Sequence, residues 1–140
     1  SMLTRAFSLT TDFTSLGDDC IVRYNMATLR IILNSILDNA AVHGFKNFTS
    51  GTPIVHFETE DIKEHVLLKI CNNGTPIDIT DRNFRTRGVF SGVTGHTGIG
   101  GYQISKYAEL QGGFVRIPTE RKWNTEIHFF IKLRFSEQKR

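Results

Sequence analysis

Apolar residues at Leu29, Ile32, Leu33, Ile36, Leu37, Ala40 and Ala41 recur at spacings of three and four, the period of an amphipathic helix with a broad buried face. Asn25 is placed to cap that helix, which begins near Met26, because its side chain can accept a bond from a free amide of the first turn. Gly44, suited to the left-handed C-terminal position, is expected to end it. Two β-type runs follow the polar loop 46–52. In residues 53–60, Ile54, His56 and Glu58 alternate with Val55, Phe57 and Thr59; the second run is 65–72. The polar stretch 60–64 turns one run into the other, which predicts an antiparallel hairpin. Residues 77–97 lose the periodicity, and a connection of that length inside a compact domain is usually either a functional lid or disordered. Ile104, Tyr107, Ala108 and Gln111 suit a second helix over 102–110, closed by Gly112-Gly113. Two more strands are predicted at 114–118 and 125–135, around the charged turn 119–124. Upstream, the Thr-, Ser- and Asp-rich residues 3–20 yield only one short strand and a loop, with another short strand at 21–24. The order helix, hairpin, lid, helix, hairpin predicts an α+β two-layer sandwich, with both helices on one face of a mixed sheet.

At 140 residues the chain can bury a core without disulfides or metals, and it reads as one domain. No run approaches the roughly 20 apolar residues that span a bilayer, and the start lacks a signal-peptide pattern. A cytoplasmic domain with no direct membrane contact is therefore expected. Ser1-Met2 reads as a cloning remnant ahead of an internal start, which makes the chain a fragment and leaves room for a membrane anchor in its parent. Cys20 and Cys71 show neither CxxC spacing nor a histidine cluster, which argues against zinc and for two reduced thiols. The net charge of +3 comes from scattered basic residues rather than a stripe with interleaved aromatics, so nucleic acid is not an expected partner.

Asn39 interrupts the apolar face of the first helix. An amide there needs partners, since a buried polar group left unpaired costs roughly 1–3 kcal/mol. A neighbouring backbone group can meet that need. Two later glycine-punctuated stretches, Asn72-Asn73-Gly74 and residues 94–101, give another reading, in which all three segments form one nucleotide site. LNSILDNA at 33–40 resembles the N box of the nucleotide-binding fold shared by sensor histidine kinases, DNA gyrase and heat-shock chaperones. NNGTPI at 72–77 resembles its first glycine box, residues 84–90 its phenylalanine box and TGIG at 97–100 its second glycine box. Asn124-Thr125 resembles the Gly-Thr that opens the last long strand of kinase domains. The resemblance runs from about residue 26 to 135 with the motifs in order. It implies the Bergerat-type fold, a mostly antiparallel sheet with a long ATP lid, and ATP with Mg²⁺ as ligands. The implied ATP-binding residues are Asn39, His43, Asn72, Gly74, Ile77, Gly98, Ile99, Gly100 and Thr125, with Asn39 also the metal contact.

Physical chemistry gives these positions tasks. The Asn39 carbonyl is a hard oxygen ligand that leaves Mg²⁺ most of its waters and phosphate oxygens. Gly98 and Gly100 carry no side chain to bar phosphates, and the following helix presents free amides and a positive dipole end. Gly74 either lets the backbone approach a base or simply turns the chain. His43, one turn beyond Asn39, can reach phosphate or ribose oxygens or interact with the helix dipole. Val42 stands where the kinases often carry Lys, which leaves phosphate contacts to His43, Lys46 or the lid residues Arg82, Arg85 and Arg87. Asn72 stands where the family sets an Asp against the adenine amino group; its carbonyl still accepts that bond, at roughly half the strength. Gly101 replaces the usual Leu. Ser35 replaces the Glu that activates water in hydrolytic members, and a serine hydroxyl is not an effective base near neutral pH.

Slow hydrolysis and transfer to an external acceptor are thus expected. None of His43, His56, His65, His96 and His128 lies in a long helix of phosphoacceptor type. The resemblance implies the catalytic domain of a histidine kinase. Its partners would be a helical phosphoacceptor and dimerisation domain, in cis in the full-length protein or in trans, and a downstream response regulator. Two alternatives stay open. NAAVHG at 39–44 resembles anti-sigma-factor serine kinases, and Asn72, Val42 and Gly101 suit a degenerate, non-catalytic nucleotide-binding module.

Overall fold

A computed structural model describes residues 7–17, 20–46, 48, 51–76, 78–87 and 100–133. Among the described residues five strands form one sheet in the order β1-β2-β3-β5-β4: β1 (Ser8–Asp12), β2 (Ile54–Asp61), β3 (His65–Asn72), β4 (Phe114–Arg116) and β5 (Thr125–Lys132). β1 runs parallel to β2 along one edge, and every other pairing is antiparallel. The predicted strand at 21–24 reduces to a single bridge between Val22 and Leu133. β4 stops at Arg116, two residues short of expectation, because Ile117 turns its amide to the Asp81 carboxylate at 2.6 Å instead of to a strand.

The first helix, α1 (Met26–Asn39), begins as its cap predicts, with the Thr28 amide donating to Asn25 Oδ1 at 2.9 Å. Its end differs from expectation. Gly44 is not left-handed; among the described glycines only Gly51 and Gly112 have positive φ. The helix instead widens into a π-turn, Ala40–Gly44, closed by the Phe45 amide on the Ala40 carbonyl at 2.9 Å. Winding of this kind is concentrated at functional sites.

Part of the predicted lid is also structured. Thr80 caps a short helix, α2 (Asp81–Phe84), through the Asn83 amide at 3.1 Å, and Phe84 is buried in the core. The remainder of the predicted lid, from residue 88, lies outside the described residues. The last helix, α3 (Gly101–Leu110), ends as the glycine pair predicts. The amides of Gly112 and Gly113 bond to the carbonyls of Glu109 and Ala108 at 3.0 and 3.1 Å, and Gly112 is left-handed, a Schellman closure.

Ile32, Ile36 and Ala40 from the first helix and Ile104 and Ala108 from α3 pack with Val55, Ile70, Val115, Ile127 and Phe129 of the sheet. Both helices therefore cover one face, the predicted two-layer arrangement. Gln111 Oε1 accepts the Asn25 amide at 2.8 Å, joining the start of one helix to the end of the other. Among the described residues no helix is long and apolar enough to cross a membrane.

Candidate functional site

A cavity of about 190 Å³ opens between the end of the first helix, the turn after β3 and the first turns of α2 and α3. Asn39, Ala40 and Gly44 form one side, Asn72, Thr75, Pro76 and Asp78 another, and Thr125 a third. Ile36, Val55, Ile70, Phe84, Ile104 and Ile127 line its apolar interior. An apolar pocket with a few convergent polar groups is the usual build of a small-molecule site. Asn72 and Thr125 are direct partners in the β3–β5 register, which is why both reach the same side.

The turn after β3 is held from every direction. Asn72 Oδ1 accepts the Gly74 amide at 2.9 Å, an Asx turn. Asn73 bonds to the start of β2: its Oδ1 accepts the Ile54 amide at 2.8 Å and its own amide donates to the Ile54 carbonyl at 3.3 Å. The Thr75 amide donates to the Gly44 carbonyl at 2.7 Å. On the acceptor side, Asn124 Nδ2 donates to the carbonyls of Asn73 and Gly74 at 3.3 and 2.9 Å, and the Thr125 hydroxyl donates to that of Thr75 at 3.3 Å. All six backbone polar groups of residues 73–75 are therefore paired, as closely packed backbone requires. A Cβ on Gly74 would run into the Gly44 carbonyl. The glycine is thus needed where this turn packs backbone to backbone against the π-turn.

Successive residues of a strand face opposite ways, so Glu126, next to Thr125, points to the other side of the sheet. There, Glu58, Lys69, Cys71, Arg121, Trp123, Glu126 and His128 line a groove of about 260 Å³. Glu126 is 5% exposed. Its Oε2 accepts the amides of Lys122 and Trp123 at 2.7 and 3.0 Å, and its Oε1 pairs with His128 Nε2 at 2.8 Å. Trp123 stacks on His56 with centroids 5.1 Å apart. Burial alone would raise the Glu126 carboxyl, but the bonds from Trp123, His128 and Lys122 outweigh it and hold the group below its ordinary 4.5.

A value lowered by folding contributes stability above the unfolded value and loses it as pH falls through the folded one. Glu126→Gln is expected to cost about 2 kcal/mol at neutral pH and to flatten the acid limb of the stability curve. Denaturant unfolding at about pH 7 and about pH 3 checks this; equal losses at both leave the charge no role. Burial first, then the nearby carboxylates Glu126 and Glu58, pushes the Cys71 thiol up to about 12, so it is no nucleophile near neutral pH.

The family profile described as histidine kinase-, DNA gyrase B-, and HSP90-like ATPase matches residues 25–135. The chain belongs to this ATPase family. Its fold is that of the family's histidine kinase domains. The ATP-binding domain of PrrB from Mycobacterium tuberculosis superposes with a TM-score of 0.61 at 16% identity, over 92% of this chain and 82% of that one. The histidine kinase AdeS of Acinetobacter baumannii gives 0.62 at 17% identity, over 94% and 57%. The histidine kinase domain of the blue-light activated kinase from Erythrobacter litoralis EL346 gives 0.57 at 10% identity, over 95% and 54%. This chain thus spans little more than half of the latter two. A sequence search of curated proteins found no significant match. Membership in the ATPase family supports ATP binding by a kinase-like domain.

Of the residues that the family's motifs pick out, Asn39, Asn72 and Thr125 share the cavity, and Gly74 stands behind its rim against Gly44. Gly100 is the N-cap of α3, its amide donating to Gln103 Oε1 at 3.2 Å. Ile77, Gly98, Ile99 and the His43 side chain lie outside the described residues. Lys46, Arg82, Arg85 and Arg87 do not line the cavity. Arg85 is committed to Asp81, with nitrogen–oxygen distances of 2.7 and 3.2 Å. Arg87 lies 5.5 Å from the ring centroid of Tyr102 in the first turn of α3.

Sequence reasoning missed Gly44, Thr75, Pro76 and Asp78 as cavity residues and Asn124 as a support. Thr75 and Pro76 carried a signal, the turn that follows Asn72. Asn124 is marked in the sequence only as standing in place of the family's glycine, because its partners lie 51 and 50 positions away.

Proposed function

We propose that this domain binds Mg-ATP in the cavity between Asn39, Asn72 and Thr125 and donates the γ-phosphoryl group to a histidine on a helical phosphoacceptor and dimerisation domain. The observation that carries the reading is the convergence of those three residues, from distant segments, on one apolar pocket. At about 190 Å³ it is smaller than the roughly 300–1,000 Å³ of sites that enclose a drug-sized molecule, and it suits a single ring system. The Asn72 carbonyl would accept from the adenine amino group, with the Thr125 hydroxyl beside it. The phosphates would extend toward Gly100 and the first-turn amides of α3, which have no partner within the helix.

Among the described residues no group of three or more His, Cys, Asp or Glu side chains gathers to hold a metal. Mg²⁺ would be held by the hard oxygen of Asn39 together with phosphate oxygens and water, and when bound it supplies neutralisation of phosphate charge. Ser35 is 4% exposed and offers no base for water, which favours an external nucleophile. The unprotonated imidazole nitrogen of the acceptor forms the bond to the γ-phosphorus as the bond to the bridging oxygen breaks, and the electron pair leaves with ADP. The acceptor belongs to the same full-length protein or to a separate chain, and a response regulator receives the group next. The domain works in the cytoplasm, free or tethered through its parent.

Titration calorimetry with a non-hydrolysable ATP analogue and Mg²⁺ tests the binding step; no heat at millimolar nucleotide overturns it. Labelled ATP with an acceptor domain tests the transfer. Acid-labile, base-stable label indicates phosphohistidine, acid-stable label the serine kinase reading, and binding without transfer a degenerate module. A sharper check concerns Asn72. Asn72→Asp keeps an oxygen for the Gly74 amide and adds a charge at the second position, and is expected to tighten ATP binding about fivefold, since charge assistance roughly doubles such a bond. Unchanged or weaker affinity removes Asn72 from the base.

A further inference from the structure

The nucleotide turn is fastened on three sides by neighbours that also build the fold: Gly44 from the first helix, Ile54 from β2 and Thr125 from β5. The fourth fastening is different. Asn124 is solvent-exposed and precedes β5, yet its side-chain nitrogen reaches the carbonyls of both Asn73 and Gly74. The two protons of one amide serve two successive acceptors, and the opposite amide orientation would set oxygen against two oxygens. The kinases that this sequence resembles open the strand with Gly-Thr, and a glycine offers neither donor. The two residues just ahead of Asn124 are anchored, the Glu126 carboxylate fixing the amides of Lys122 and Trp123.

We infer that Asn124 is a positioning residue for base selectivity: it clamps the turn that carries Asn72 and Thr75, and so fixes where the Asn72 carbonyl stands relative to Thr125. The inference rests on the proposed nucleotide site and deepens it. Asn72 reads the base without the help of a charge, so its discrimination depends on geometry held in advance rather than on a strong bond that can pull a loose turn into place. Removing the clamp leaves two carbonyls to water and loosens the turn on one of its four sides, while the core packing, to which Asn124 contributes nothing, stays as it is.

Titration calorimetry of the unaltered domain and of Asn124→Gly, each with Mg²⁺ and either ADP or inosine diphosphate, tests this. Inosine carries a carbonyl in place of the adenine amino group. The unaltered domain is expected to prefer ADP. Asn124→Gly is expected to weaken ADP about fivefold, the net worth of roughly one hydrogen bond, and to change inosine diphosphate by less than about twofold, so that the preference collapses. Asn124→Asp, which sets a carboxylate against both carbonyls, is expected to bind ADP no better than Asn124→Gly. Equal weakening of both nucleotides, the mark of a merely structural role, overturns the inference, as does an unchanged ratio. A domain that binds neither nucleotide overturns the reading beneath it as well, so the two failures are told apart.

Discussion

Gly101→Leu is expected to lower the melting midpoint by about 10 °C, although leucine is what sensor kinases usually carry at that position. A Cβ at residue 101 would run into the Phe84 carbonyl and stand 2.9 Å from Phe84 Cγ. Neither side has room to retreat. Gly101 opens α3 and is itself buried, while Phe84, 3% exposed, closes α2. That short helix is pinned by the Thr80 cap and by Asp81, which holds the Ile117 amide and Arg85. Overpacking a site bounded by backbone costs about 3 kcal/mol, and about 3 °C follows from each kcal/mol in a domain of this size. Differential scanning calorimetry reads the shift. A variant that melts with the unaltered domain would mean that residues 78–87 do not dock on α3. In this chain a glycine and a phenylalanine divide the space differently from the family pattern, and restoring one member alone breaks the fit.

Asn39→Ala is expected to weaken Mg²⁺-dependent nucleotide binding by about a hundredfold, the upper range for bonds to charged groups, while leaving the melting midpoint within a few degrees. Alanine is the better helix former, and residue 39 lies where the helix passes into its π-turn, half-buried beside the cavity and outside the hydrophobic core. Calorimetry with and without Mg²⁺ separates the outcomes. If nucleotide binds equally well in both conditions before and after the substitution, Asn39 does not touch the metal. If affinity and stability fall together, its amide serves the fold.

Local patterns carried most of the architecture. The β-type run read at 65–72 bounds β3 at the residues observed, and the Gly112-Gly113 pair closes α3 through the bonds that such a pair makes. Elements held by distant partners were illegible. The segment 78–87 has no periodicity because Asp81 fastens it to Ile117, 36 positions on. β1 is exposed at every residue, so no apolar alternation marks it as parallel to β2. Gly44 and Gly74 were visible as glycines, but their reason, two backbones in contact, appears only when the first helix and the β3 turn meet. Asn39, Asn72 and Thr125 stand out by residue type and order along the chain, without geometry, and they line one cavity. A sequence that offers Arg85 as a lid cation does not reveal that Asp81 already pairs with it.

The pairing of Asn72 with Thr125, and of Cys71 with Glu126 beside it, has an evolutionary corollary. Side chains alternate, so a one-residue slip of β5 would carry a carboxylate into the pocket and expel the hydroxyl. Length changes between β4 and β5 are therefore subject to a parity rule. Insertions can accumulate where the hairpin bulges outward, but any that break phase with β3 exchange the neutral Thr125 hydroxyl for a negative charge in one step, with no intermediate to select.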